Sequence, residues 1–210
     1  RLRKLCDRHK VLLIADEVAA GFGRTGHMFA CGAEGVSPDL LCLAKGLTGG
    51  YLPLAATLST DRIYRAFLGG HDEFKAFFHG HTYTGNPLGC AAAMANLDLF
   101  ESENTLAALK DRIALLRGLL KGLAELPHVG DIRQAGLVAG IELVKDKETK
   151  EPYPAGDRTG YGVCMEARGR GLIIRPLGDT IVLMPPLSIK ENELKKIVSI
   201  TRGCIKRLAR

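Results

Sequence analysis

Two short apolar runs constrain this chain most. Val11-Leu12-Leu13-Ile14-Ala15 passes without a polar interruption into Asp16-Glu17, and Leu40-Leu41-Cys42-Leu43 stops just before Lys45-Gly46. A strand with one wet face alternates apolar and polar residues. A short unbroken run instead reads as a strand buried on both faces, the pattern of a parallel sheet covered by helices. Residues 54–58 read as a third strand. The expected class is therefore α/β. In open sheets of this class ligands sit outside the carboxyl ends of the strands, and Asp16 and Lys45 both stand at such ends.

The flanking segments fit this reading. Leu2, Leu5 and Cys6 share one face of a first helix that is already in progress at Arg1, so the start reads as a cut made inside a domain. Thr60 or Asp61 is expected to cap a helix reaching about residue 68, and residues 69–85 read as irregular. Asn86-Pro87 opens the next helix, with Asn as the cap and Pro at the first helical position. A boundary falls near residues 101–104, giving expected domains of 1–101 and 102–210. Beyond it, residues 105–126 form an amphipathic helix with Leu106, Leu109, Ile113, Leu116, Leu120 and Leu123 at helical spacing. Strands follow around Ile132 and at 137–143, then a charged loop at 145–151 and a helix over 159–170. Further strands are expected at 172–175 and 180–184. Ser188-Ile189-Lys190-Glu191 fits a capping box for a last helix. This second half reads as a small α+β domain.

Composition narrows the function classes. The net charge of +6 is spread along the chain and interleaved with acids, with no basic run carrying aromatics, which argues against nucleic-acid binding. The six cysteines show no CxxC spacing. Their apolar neighbours, as in Leu41-Cys42-Leu43 and Gly89-Cys90-Ala91, fit reduced, buried thiols in a cytoplasmic protein. No apolar run is long enough to span a bilayer, and no membrane partner is expected.

Spacing alone leaves each candidate residue ambiguous. Asp16 also fits a turn cap, Lys45 a solvated side chain and Arg175 a surface arginine. The stretch GFGRTG between Asp16 and Lys45 does not match a standard phosphate loop. His79-Gly80-His81 lacks a third ligand at metal spacing, so no metal is expected.

Taken together, LLIADEVAAGFGRTG (12–26), PDLLCLAKGLTGG (38–50), HGHTYTGNPLGCAAA (79–93) and IIRPLGDTIVLMPPL (173–187) resemble four consecutive signature blocks of the class III aminotransferases. Their order and spacing agree across nearly the whole chain. The resemblance implies the pyridoxal-phosphate (PLP)-dependent transferase fold, fold type I. The chain would hold the C-terminal part of the large, mostly parallel-sheet domain followed by the small α+β domain. It implies pyridoxal 5'-phosphate as cofactor, held by Lys45, which then shuttles a proton. Asp16 would pair with the protonated ring nitrogen and Val18 would pack on the ring face. Thr82 and the backbone at His81 would reach the phosphate of the neighbouring subunit in a homodimer. Gly80 would touch substrate, and Arg175 would grip a substrate carboxylate through its planar fork.

Within the family, CLAKGLTGGYLPLAATLST, FFHGHTYTGNPLGCAAAMANLDLFE and RPLGDTIVLMPPLSI resemble most the branch serving biotin biosynthesis. That implies amino transfer to 8-amino-7-oxononanoate from S-adenosylmethionine or lysine. Ornithine, 4-aminobutyrate and ω-amino acid enzymes are the alternative within the family. A third reading makes this chain a catalytically inert piece, since the family's front part, with its Gly-Ser phosphate turn and ring-stacking aromatic, is missing from it.

Overall fold

The computed structural model describes residues 1–209. It divides into two compact units, Arg1–Leu106 and a second from Ala107 onward.

In the first unit, helix α1 (Leu2–His9) leads into strand β1 (Ile14–Asp16). Helix α2 (Ala30–Ala33), strand β2 (Leu40–Leu43), strand β3 (Ala56–Ser59), helix α3 (Asp61–Ala66) and helix α4 (Pro87–Ser102) follow. β1 pairs parallel with β2 and places Asp16 opposite Cys42. β3 returns antiparallel, with Leu43 opposite Ala56. The apolar run at 11–15 corrects one expectation, because its strand covers only Ile14–Asp16 and is not buried. Val11, Leu12 and Ile14 are 58%, 45% and 59% exposed. β1 is the edge strand of a three-stranded sheet, and few side chains among the described residues cover it.

The residues before β1 are held by a side chain as well as by backbone bonds from Asp39 N and Leu40 N to Leu13 O, at 2.9 and 3.2 Å. Asp39, 12% exposed, accepts from Leu13 N at 2.8 Å, Arg3 Nη1 at 2.7 Å and Arg62 Nη2 at 3.0 Å. The Leu13 N–H first, and Arg3 next, hold its carboxyl down at about 2 against an ordinary 3.8. A depressed carboxyl stabilises the fold above its unfolded pKa and loses that contribution as pH falls through its folded one. The stabilisation should therefore fade between pH about 4 and about 2. In acid melts of the full-length protein, Asp39→Asn should lower the midpoint at neutral pH and flatten the fall over that window. An unchanged acid limb would remove Asp39 from the account.

Helix ends follow local chemistry. Asn86 caps α4 as expected, accepting from Leu88 N at 2.9 Å and Gly89 N at 3.2 Å. Thr60 stands at the α3 cap position, but its buried hydroxyl makes no hydrogen bond.

The second unit contains helix α5 (Thr105–Ala124) from its third residue on, strands β4 (Val129–Ala135) and β5 (Val138–Leu143), and helix α6 (Thr159–Gly169). Strands β6 (Arg175–Leu177) and β7 (Thr180–Leu183) and helix α7 (Glu191–Ile205) complete it. The sheet order is β4-β5-β7-β6, with every neighbouring pair antiparallel. Strict alternation on β5 and β7 turns Ala139, Ile141, Leu143, Ile181 and Leu183 inward. Leu109, Leu116, Leu120 and Leu123 of α5 are buried, as are Leu194, Val198 and Ile205 of α7.

Three expectations in this unit need correction. α5 ends at Ala124, not residue 126. The capping box sits two residues later than read: Ile189 N bonds Pro186 O in a turn, and Glu193 accepts from Lys190 N at 2.8 Å. Arg175 begins a strand instead of ending one, since β6 pairs with β7 through Arg175–Val182 to Leu177–Thr180. Not all thiols are buried either. Cys164 and Cys204 are, and burial pushes Cys164 up to about 11. Cys90 is exposed, because Gly89 and not Cys90 faces Leu54 from α4.

Candidate active site

The parallel pairing of β1 and β2 brings Asp16 and Lys45 to the same end of one sheet. The ladder runs on for one step past Asp16, as Glu17 N bonds Cys42 O at 3.0 Å. Lys45 stands three residues beyond Cys42 in a 3-10 turn over Lys45–Thr48. Both side chains are exposed there. Asp16 Oδ1 accepts from Val18 N at 3.1 Å, which orients the carboxylate, and Val18 itself is half-buried.

Neighbours on a strand point to opposite faces, so Glu17 turns inward. It is 3% exposed, and its two carboxylate oxygens accept from Ala30 N at 2.6 Å and Cys31 N at 2.7 Å, at the start of α2. Burial, and then the Glu17 carboxylate, push the Cys31 thiol up. The Gly-rich stretch between is folded back on itself, with Phe22 N bonded to Met28 O at 2.7 Å and Gly26 N to Gly23 O at 2.9 Å.

The turn that carries Lys45 is strained and closely supported. Lys45 has φ +43, a left-handed conformation that costs a residue with a Cβ on the order of 1–3 kcal/mol. Beneath it, Phe22 is 4% exposed. A Cβ on Gly46 would lie 2.8 Å from the Phe22 Cβ, so only glycine fits.

The other expected residues stand on other segments of the chain. Gly80, His81 and Thr82 lie in an exposed turn between Phe78 and Asn86. It is held by His81 N to Thr84 Oγ1 at 3.1 Å, Tyr83 N to His81 Nδ1 at 3.2 Å and Thr84 N to His81 O at 3.0 Å. Among the described residues no hydrogen bond ties this turn to the Asp16–Lys45 end. Arg175 lies in the second unit, exposed, with no ion pair among the described residues. No set of three His, Cys, Asp or Glu side chains among them is arranged for a metal, and no helix is long and apolar enough to cross a membrane. Sequence reasoning did not single out Glu17, Phe22 or Asn96. The available signals were the parity of adjacent Asp16 and Glu17, and a lone amide in an alanine-rich helix.

The family model for "Aminotransferase class-III" matches residues 1–205. An adenosylmethionine-8-amino-7-oxononanoate aminotransferase of Nitratidesulfovibrio vulgaris is 63% identical over 97% of this chain and 38% of its own length. The enzyme of the same name from Geobacter sulfurreducens is 59% identical over 94% of this chain and 44% of its length. The crystal structure of the Methanocaldococcus jannaschii enzyme of that name superposes with a TM-score of 0.95 at 52% identity. It covers 98% of this chain and 48% of the solved one. The chain thus spans less than half the length of these relatives.

Proposed function

Because the chain belongs to the class III aminotransferases, we propose that the full-length protein uses pyridoxal 5'-phosphate to move an amino group onto 8-amino-7-oxononanoate. S-adenosylmethionine or lysine is the donor. The carrying observation is the β1–β2 parallel pair, which delivers a carboxylate and an amine to one strand end. Relatives from 50% to 63% identical bear the biotin-pathway name. The first unit is read as the C-terminal part of the cofactor-binding domain and the second as the small domain.

The residues present suit the cofactor. Asp16 is an exposed carboxylate of fixed orientation and Lys45 an exposed amine one strand away. When bound, the cofactor supplies an electron sink for the substrate carbon. Lys45 Nζ would hold the cofactor, and its amine would serve as the base for the proton on the substrate carbon. Asp16 would keep a proton on the ring nitrogen by charge, and Val18 would lie against the ring. Thr82 and the His81 backbone serve the phosphate of the partner subunit in a homodimer, and Gly80 borders the substrate. The setting is cytoplasmic.

Arg175 receives the substrate carboxylate. Arg175→Ala should raise KM for 8-amino-7-oxononanoate roughly thirtyfold, the equivalent of about 2 kcal/mol for one charge-assisted contact, with kcat less affected. An unchanged KM would place the carboxylate anchor elsewhere. The function itself is tested by incubating the full-length protein, loaded with PLP, with 8-amino-7-oxononanoate and each donor in turn. Diamine product is expected with one donor. No product with either, while ornithine or 4-aminobutyrate turns over, would overturn the assignment.

A further inference from the structure

One face of α4 grips the lysine turn. Asn96 Nδ2 donates to Gly46 O at 2.9 Å and Leu47 O at 3.2 Å, the two carbonyls directly after Lys45. Both targets are acceptors, so the amide nitrogen must face them. Its oxygen lies against Gly49, where an added Cβ would approach it to 3.1 Å. Gly49, at φ +62, ends the turn. One helical turn on, and so on the same face, Phe100 meets Phe22 edge-on with ring centroids 6.5 Å apart. Phe22 is the side chain that packs under Gly46. The turn after the strained residue is therefore held by a two-bond polar clamp from α4, some fifty residues away in sequence, and by Phe22, which Phe100 of the same helix backs.

We propose that Asn96 is a positioning residue for Lys45: by holding the carbonyls of Gly46 and Leu47 it keeps Lys45 left-handed and aims its amine. This rests on the reading that Lys45 holds the cofactor. Strained backbone persists only where its surroundings over-determine it. Without the clamp the turn relaxes toward an ordinary conformation, and the lysine Cα–Cβ vector swings with it.

The test uses the full-length protein with PLP and two variants, Asn96→Ala and the isosteric Asn96→Asp. Lys45 capture is followed by borohydride reduction and peptide mass, and the cofactor's visible absorbance is titrated with pH. Both variants should capture Lys45 more slowly and shift the absorbance midpoint. Their kcat should fall by about 100-fold with KM for the donor little changed, the loss typical of a misplacement near 1 Å. Asn96→Asp should recover partly as pH falls, because a protonated carboxyl donates again. Parent-like capture and midpoint in both variants would overturn the inference, even if both melt at lower temperature. So would failure of both to fold, which would make Asn96 a folding residue only. If the parent itself fails to capture PLP at Lys45, the proposed function is what falls.

Discussion

Lys45→Ala is expected to abolish amino transfer in the full-length protein, with a loss of at least ~10⁴-fold in kcat because general acid–base catalysis and cofactor attachment vanish together. The substitution is clean for a structural reason. Alanine keeps a Cβ, so the left-handed strain at φ +43 stays the same in parent and variant. Gly46 still packs on Phe22, and the Asn96 clamp bonds only backbone. The melting temperature should therefore barely move while activity disappears. Added methylamine should restore a fraction of the rate by standing in for the missing amine. Turnover near the parental value would remove Lys45 from the chemistry.

Asp16→Asn should lower kcat by about 100-fold or more while PLP still binds. The amide oxygen of asparagine can go on accepting from Val18 N, so the turn at the end of β1 keeps its geometry. What changes is charge: a neutral amide cannot hold a proton on the ring nitrogen as a carboxylate does. Cofactor occupancy by absorbance, measured beside kcat, separates the two effects. Equal loss of occupancy and rate would make Asp16 a binding residue only, and an unchanged rate would make it a structural one.

Much of this was readable in the chain because it depends on near neighbours. The apolar runs marked β1 and β2, Asn86-Pro87 marked the start of α4, and leucine spacing marked α5. Errors arose where a distant partner decided. The run at 11–15 gives only two residues, Ile14 and Ala15, to the strand because the Asp39 carboxylate, not a neighbouring strand, takes the Leu13 N–H. The apolar residues 172–174 suggest an early strand, but the pairing with β7 begins only at Arg175, opposite Val182. Asp16 and Lys45 were visible as charges at strand ends. Glu17 and Asn96 were not, because their bonds go to backbone groups 13 and 50 residues away. Backbone carries no side-chain signature by which such a partner is recognised.

The left-handed lysine also bears on how this position drifts among variant sequences. Glycine adopts φ +43 without the Cβ penalty, so Lys45→Gly would relieve the backbone while discarding the amine. A library sorted only for thermal tolerance should enrich glycine at position 45 and so collect well-folded, chemically silent proteins. Lysine there runs against the preference of its own backbone, and a sort that keeps it must select for turnover.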